Sequence, residues 1–299
     1  MPKLPVGRTI ESAYSFAFRH FFAVLGIIWF PYVVMIAILA LPAIALVPPL
    51  VDAVEIGTFD FSMVPGLVGL GLLFWLGFMV AGAMVRVGLM RKALGLAEGR
   101  IFLYFSFAAP VWRMLGALIL ASLILIGVWL ASAAVAGVIW GVARLVLSEQ
   151  GSALLGGLAF FVAMCWWLYA AVRLTFFLPA VVVAEEEIGI GRAWALGQGN
   201  FWRIIVVVIA IFVPVAIAFG MLSALTTSFA VLPTVEPLNL HAAIEMLHER
   251  LMAIGPWSGL LELVYIMLLT GLGTGAVAGA YRGIVPQHAG DAPAESPQA

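Results

Sequence analysis

Charge is scarce in this chain. Lys, Arg, Asp and Glu make up 10% of its 299 residues, against about 25% in an ordinary soluble domain. Apolar residues make up 65%, where roughly 45–50% is usual. No compact fold in water could hide that surplus, so the solvent for most of the surface is expected to be lipid. Cysteine is nearly absent too. Cys165 stands alone in the apolar run Val162–Trp167, which excludes an internal disulfide and a thiol-based metal site, so it reads as packing filler. Catalytic signatures are also missing. There is no phosphate-cradling glycine loop ending in Lys-Ser/Thr, no Gly-x-Ser-x-Gly elbow and no cluster of cytoplasmic His and Asp. The aqueous loops are too short for a catalytic domain, so no enzyme and no cofactor is expected. Lys3, Arg8, Glu11 and Arg19 crowd the opening residues, and the following apolar run is too long for a cleavable signal peptide.

What is present is long hydrophobic runs. A transmembrane helix needs about 20 mostly apolar residues, and six stretches meet that demand: about Phe22–Val47, Val64–Leu89, Leu115–Ile139, Ala153–Val181, Ile204–Val231 and Trp257–Ala280. The third runs on apolar to Leu147. Pro31 and Pro214 fall inside spans one and five, where a kink is expected rather than a break. Basic residues set the orientation. Lys3, Arg8, Arg19, Arg86, Arg91, Lys92, Arg100, Arg113, Arg173, Arg192, Arg203 and Arg282 fall on one side of the six-span arrangement, and Arg144 and Arg250 on the other. Both termini are therefore expected in the cytoplasm. The stretch Pro286–Ala299, rich in Pro, Ala, Gly and acid, is expected to be a disordered cytoplasmic tail.

The segments entering spans one, three and five align without gaps at a spacing of 90 residues. Tyr14, Tyr104 and Trp194 correspond, then Phe22, Trp112 and Trp202; Arg113 matches Arg203, while the first copy has Ala23 there. The fold expected is all-α: six transmembrane helices built as three parallel repeats, each an interfacial helix plus a two-span hairpin, over about 7–96, 97–186 and 187–285. The interfacial helices fall around Arg8–Phe21, Ile101–Trp112 and Ile190–Phe201. In the first, Ile10, Tyr14, Ala17 and Phe21 share a face, with Arg8, Ser12, Ser15 and Arg19 turned away. Trp112, Arg113, Trp194, Trp202 and Arg203 are the expected anchors at the headgroup level.

Ionisable residues inside a bilayer are functional candidates. Glu262, in span six, could bind a cation, relay a proton, snorkel to the outer surface or accept hydrogen bonds from a neighbouring helix. Arg144 sits on the outer side, where Glu149 and Glu262 are both possible partners. Arg86, Arg173 and Arg282 read as positive-inside anchors. His241, Glu245 and His248, at i, i+4 and i+7, form a weak zinc-ligand pattern that reads better as the solvated face of a helix. Gly271, Gly275 and Gly279 make a small-residue ridge in span six, and Ala133, Gly137 and Gly141 a lesser one in span three; both read as helix-packing surfaces. The acidic run Glu185–Glu187 reads as the start of an interfacial helix, where negative charge complements the dipole.

The stretch Arg173-Leu-Thr-Phe-Phe-Leu-Pro-Ala-Val-Val-Val-Ala-Glu185, followed by Arg192-Ala-Trp-Ala-Leu and Gly199-Asn-Phe-Trp-Arg203, resembles the YciC-like bacterial inner-membrane proteins and the membrane domain of some glycerophosphoryl diester phosphodiesterases. The Glu11–Phe22 segment fits their opening pattern. The resemblance implies a bacterial inner-membrane location and, in the phosphodiesterases, an anchoring role beside a catalytic domain that is not expected here. It carries over no functional residue. The function expected is a non-enzymatic membrane protein that contacts lipids or envelope proteins; the alternative is a transporter or channel using Glu262 and Arg144. The partners expected are membrane lipids and other membrane proteins, not nucleic acid.

Overall fold

The computed structural model describes residues 3–55, 64–96, 104–227 and 255–285. Every regular element within them is a helix: α1 (Val6–Arg19), α2 (Phe21–Glu55), α3 (Val64–Ala93), α4 (Ala109–Val146), α5 (Glu149–Thr175), α6 (Leu178–Ala184), α7 (Ile190–Leu196), α8 (Phe201–Thr227) and α9 (Gly255–Ile284). Six stretches are long and apolar enough to cross a membrane: Phe21–Ala40, Val64–Ala93, Ala109–Val146, Glu149–Ala184, Phe201–Ala224 and Leu260–Ile284. Helical hydrogen bonding carries these segments because lipid offers no other partner for backbone N–H and C=O groups. The helical assignment runs through both Pro31 and Pro214.

Consecutive spans pair as α2 with α3, α4 with α5, and α8 with α9. Small residues set the closeness of the pairs. Gly77 of α3 faces Met35 and Leu39 of α2, and Gly88 faces Ile27 and Tyr104. Across the α4–α5 pair, Gly156 receives the Trp140 ring and Trp167 Nε1 donates to the Leu125 carbonyl at 3.2 Å. Phe219 stacks on Tyr265 between α8 and α9, with centroids 4.1 Å apart. Along α4 and α5, Leu123, Trp129, Val138, Leu154 and Phe161 are exposed, as on helices facing lipid.

The fourth stretch covers the expected Ala153–Val181 but is broken within it. Its helix stops at Thr175, the chain bends at Phe176–Phe177, and Pro179 opens α6, where its missing N–H costs nothing. Leu178, Ala180, Val181, Val182 and Val183 are all buried, and this short helix touches α3, α4, α5, α7 and α9. It is the hub of the core. Glu185–Glu187 follow its C-terminus in a turn rather than opening α7, which starts at Ile190. The acids therefore do not serve that helix's dipole.

The segments ahead of spans one, three and five take three different forms. Tyr104–Phe107 is not helical and Ala109–Trp112 belongs to α4, so the separate helix expected over Ile101–Trp112, whose first three residues lie outside the described ones, does not form across Tyr104–Phe107. The third forms only the two-turn α7 before a turn over Gly197–Asn200. The first does form a helix, α1, but one aligned with the spans rather than lying across them. Cβ atoms placed on α9 glycines would meet Pro5 from Gly283, Ser12 from Gly279, Ala13 from Gly275 and Ala17 from Gly271. The partners advance on α1 as they retreat on α9, so the two helices run antiparallel. Tyr14 donates to the Ala210 carbonyl of α8 at 3.2 Å. Thr9, Ala13, Phe16 and Ala17 form the buried face, and Ser12 looks onto the Gly275 carbonyl. The face differs from the expected one because α9, not a lipid surface, covers it.

Candidate functional site

Met79, Arg86 and Met90 fall on one face of α3 and line a cavity of about 580 Å³ between six elements, the short α6 among them. Ser122 and Leu125 of α4, Thr175 at the end of α5, Phe212 of α8, and Thr270 and Thr274 of α9 form other parts of its wall. Arg86 is the one charged residue in that lining. An arginine near the end of a span usually reaches for the nearer water. Arg86 does the reverse. Side chains lean toward a helix's N-terminus, and here the guanidinium follows that lean: a Cβ on Gly82 would lie 3.1 Å from its Nη1 and 4.0 Å from the Tyr32 hydroxyl. Gly82 thus leaves the room the guanidinium fills. At 1.5 Å per residue, this places the charge about 16 Å inside the end of α3. Among the described residues no carboxylate pairs with it, and its surface stays open.

The three threonine hydroxyls around the cavity donate to their own helices, and Ser122 adds a fourth hydroxyl to the wall. Thr175 donates to the Ala171 carbonyl at 2.8 Å, Thr270 to Ile266 at 2.7 Å and Thr274 to Thr270 at 2.8 Å. The cavity therefore combines one positive donor and a few hydroxyls with a mainly apolar wall. Its chemistry complements an anion that carries an apolar body.

Arg173 is held differently: its two terminal nitrogens are engaged within the protein, while its Nε is buried without a partner. It is buried, donates to the Tyr169 hydroxyl at 2.6 Å and to the Trp194 carbonyl at 3.0 Å, and lies 4.1 Å from the Trp194 ring centroid. It pins α5 to α7. Gly197 allows this, since a Cβ there would sit 3.3 Å from the Arg173 Cα and carbonyl oxygen.

A second polar cluster ties helix ends together. Arg113 donates to the Glu186 carbonyl at 2.6 Å and lies 3.3 Å from its carboxylate. Arg192 pairs with Glu185 at 3.2 Å, and the Tyr281 hydroxyl donates to the same carboxylate at 2.9 Å. Glu186 takes φ 57°, a left-handed turn. Both donors and the hydroxyl are engaged within the protein, so the run is a structural tie. Asn200, buried, accepts from the Leu4 N–H at 2.9 Å, while Arg203 donates to the Leu4 carbonyl at 2.8 Å. Outside the spans, burial raises the Tyr104 phenol above its ordinary pKa, with Arg91 pulling the other way.

The residues singled out in the sequence are scattered. Glu262 is exposed on α9 with no hydrogen bond or ion pair among the described residues. Arg144, exposed, lies over the Trp140 ring at 4.5 Å and pairs with neither Glu149 nor Glu262. Neither lines the cavity. Trp112 and Trp202 expose their rings, Trp112 Nε1 donating to the Phe107 carbonyl at 3.0 Å, whereas Trp194 forms the Arg173 cage. Gly271, Gly275 and Gly279 are covered by α1; Gly137 and Gly141 face open space. His241, Glu245 and His248 lie outside the described residues, within which no three metal-ligating side chains cluster. Cys165 is exposed. Arg86, read from the sequence as a positive-inside anchor, is the residue that instead lines the cavity. Arg91 and Lys92 already close α3, so a further arginine inside the span was the available signal.

The architecture is that of a six-span helical protein with a charged interhelical cavity. Compared with protein-family models, curated proteins and solved structures, the chain finds no match.

Proposed function

We propose that this is a non-enzymatic protein of a bacterial inner membrane, with both ends in the cytoplasm, that contacts membrane lipid and envelope proteins. The observation supporting this reading is the cavity between the spans: its wall is mainly apolar around the single Arg86, and neither Glu262 nor Arg144 reaches it. A pathway for a hydrated solute needs polar groups along its length, and interior pathways are marked by paired ionisable residues. A lipid-filled space needs neither. Purification in mild detergent followed by lipid extraction and mass spectrometry tests the reading. The expected outcome is lipid retained in fixed proportion to protein. Lipid-free protein that conducts a solute flux in proteoliposomes, lost on Glu262→Gln, would replace it with transport.

A further inference from the structure

We infer that the Arg86 cavity is a binding site for an anionic amphiphile, its anion held by the guanidinium and its hydrocarbon laid against Met79, Leu125 and Phe212. This rests on the lipid-contact reading above and adds the class of ligand. Three observations carry it. The guanidinium points into the bundle and away from the near end of α3, where a purely topological arginine would reach for water. No carboxylate neutralises it among the described residues, although a lone charge at such depth is costly. Finally, the three threonines on the wall have given their protons to backbone carbonyls, so the guanidinium is the cavity's strong donor.

A zwitterionic headgroup fits less well, because it brings an ammonium for which the wall offers no carboxylate. A small soluble anion would satisfy Arg86 but leave most of a 580 Å³ apolar space unfilled. A phosphate or carboxylate joined to an acyl chain meets both demands, and a charge-assisted contact is the strong kind. Two sources share this chemistry: an anionic phospholipid and a free fatty acid.

The test uses the full chain in nanodiscs of phosphatidylcholine doped with either phosphatidylglycerol or oleate, followed by native mass spectrometry of retained lipid. Wild type is expected to retain one of the dopants over phosphatidylcholine by roughly tenfold; which one it retains identifies the source. Arg86→Gln should reduce that preference to near unity, and Arg86→Lys should keep part of it. Gly273→Leu should abolish retention of both lipid types, because Gly273 lines the cavity and a Cβ there meets nothing nearer than Phe212 Cζ at 3.8 Å. If Arg86→Gln does not yield folded protein, Gly273→Leu decides alone, and an unchanged preference overturns the site. Equal retention of charged and zwitterionic lipid by wild type, or a preference that survives Arg86→Gln, overturns this inference and leaves lipid contact standing. Wild type that retains no lipid overturns both.

Discussion

Two arginines inside the helical bundle receive opposite treatment. Arg173 is buried among two hydrogen-bond acceptors and two aromatic rings, while Arg86 faces a cavity whose lining holds no carboxylate. Removing Arg173 would strand the Trp194 carbonyl and empty the cage, so Arg173→Ala should cost about 2–4 kcal/mol. Arg173→Lys should recover little, because one ammonium does not make two divergent hydrogen bonds while lying flat on a ring. Thermal unfolding in detergent checks both; an unchanged midpoint in either variant would mean that the cage does not join α5 to α7. Glu262 is the opposite case. Exposed and unpaired, it predicts that Glu262→Gln alters stability by less than about 0.5 kcal/mol and leaves growth unchanged. A folded variant that lost a pH-dependent flux would contradict that expectation. The sequence marked all three residues as ionisable groups within or at the ends of spans. Which is caged, which open and which idle depends on distant neighbours such as Trp194 as well as near ones such as Tyr169 and Gly82, and no local pattern records the distant ones.

Helices were the most legible part of this chain, because the demand for apolar length in lipid is local. The fate of the small-residue ridges was less so. In sequence, Gly271–Gly275–Gly279 and Ala133–Gly137–Gly141 look alike at their spacing. In the structure the first carries α1 along its length and the second meets nothing. Their substitutions should therefore differ in sign. A Cβ on Gly275 would lie 2.9 Å from the Ala13 Cα, a backbone atom that moves only with the whole helix, so Gly275→Ala should destabilise by about 1–3 kcal/mol. Gly141→Ala has open space and should stabilise by about 0.5–1 kcal/mol through reduced chain entropy. The same unfolding assay measures both, and equal effects would argue against the docking of α1 on α9. The amphipathic pattern of α1 correctly marked a helix. It gave no indication that a neighbouring helix, rather than lipid, would cover the apolar face.

At the scale of the whole molecule, polar ties gather the basic ends of the helices at one end of the bundle. Leu4 is held by Asn200 and Arg203; the turn after α6 is held by Arg113, Arg192 and Tyr281. These contacts place the N-terminal segment, the start of α4, the α6–α7 turn and the end of α9 on a common face. That face is also where most of the Lys and Arg outside the spans lie, and loops with such an excess stay in the cytoplasm. Reporter fusions after Arg100 and after Arg192 should therefore signal a cytoplasmic location, and fusions near Asp60 and Glu245 the opposite side. Arg192 is the sharpest of the four positions, because it follows the bend at Phe176–Phe177. If α6 made a further crossing of its own, rather than ending beside the start of α4 where Arg113 meets Glu186, the Glu185–Arg192 tie would face the other compartment. It would then be separated from Tyr281 and Arg113 by the membrane. An external signal at Arg192 would thus defeat both the six-span count and the shared polar face, whereas a cytoplasmic signal is expected from charge distribution and packing alike.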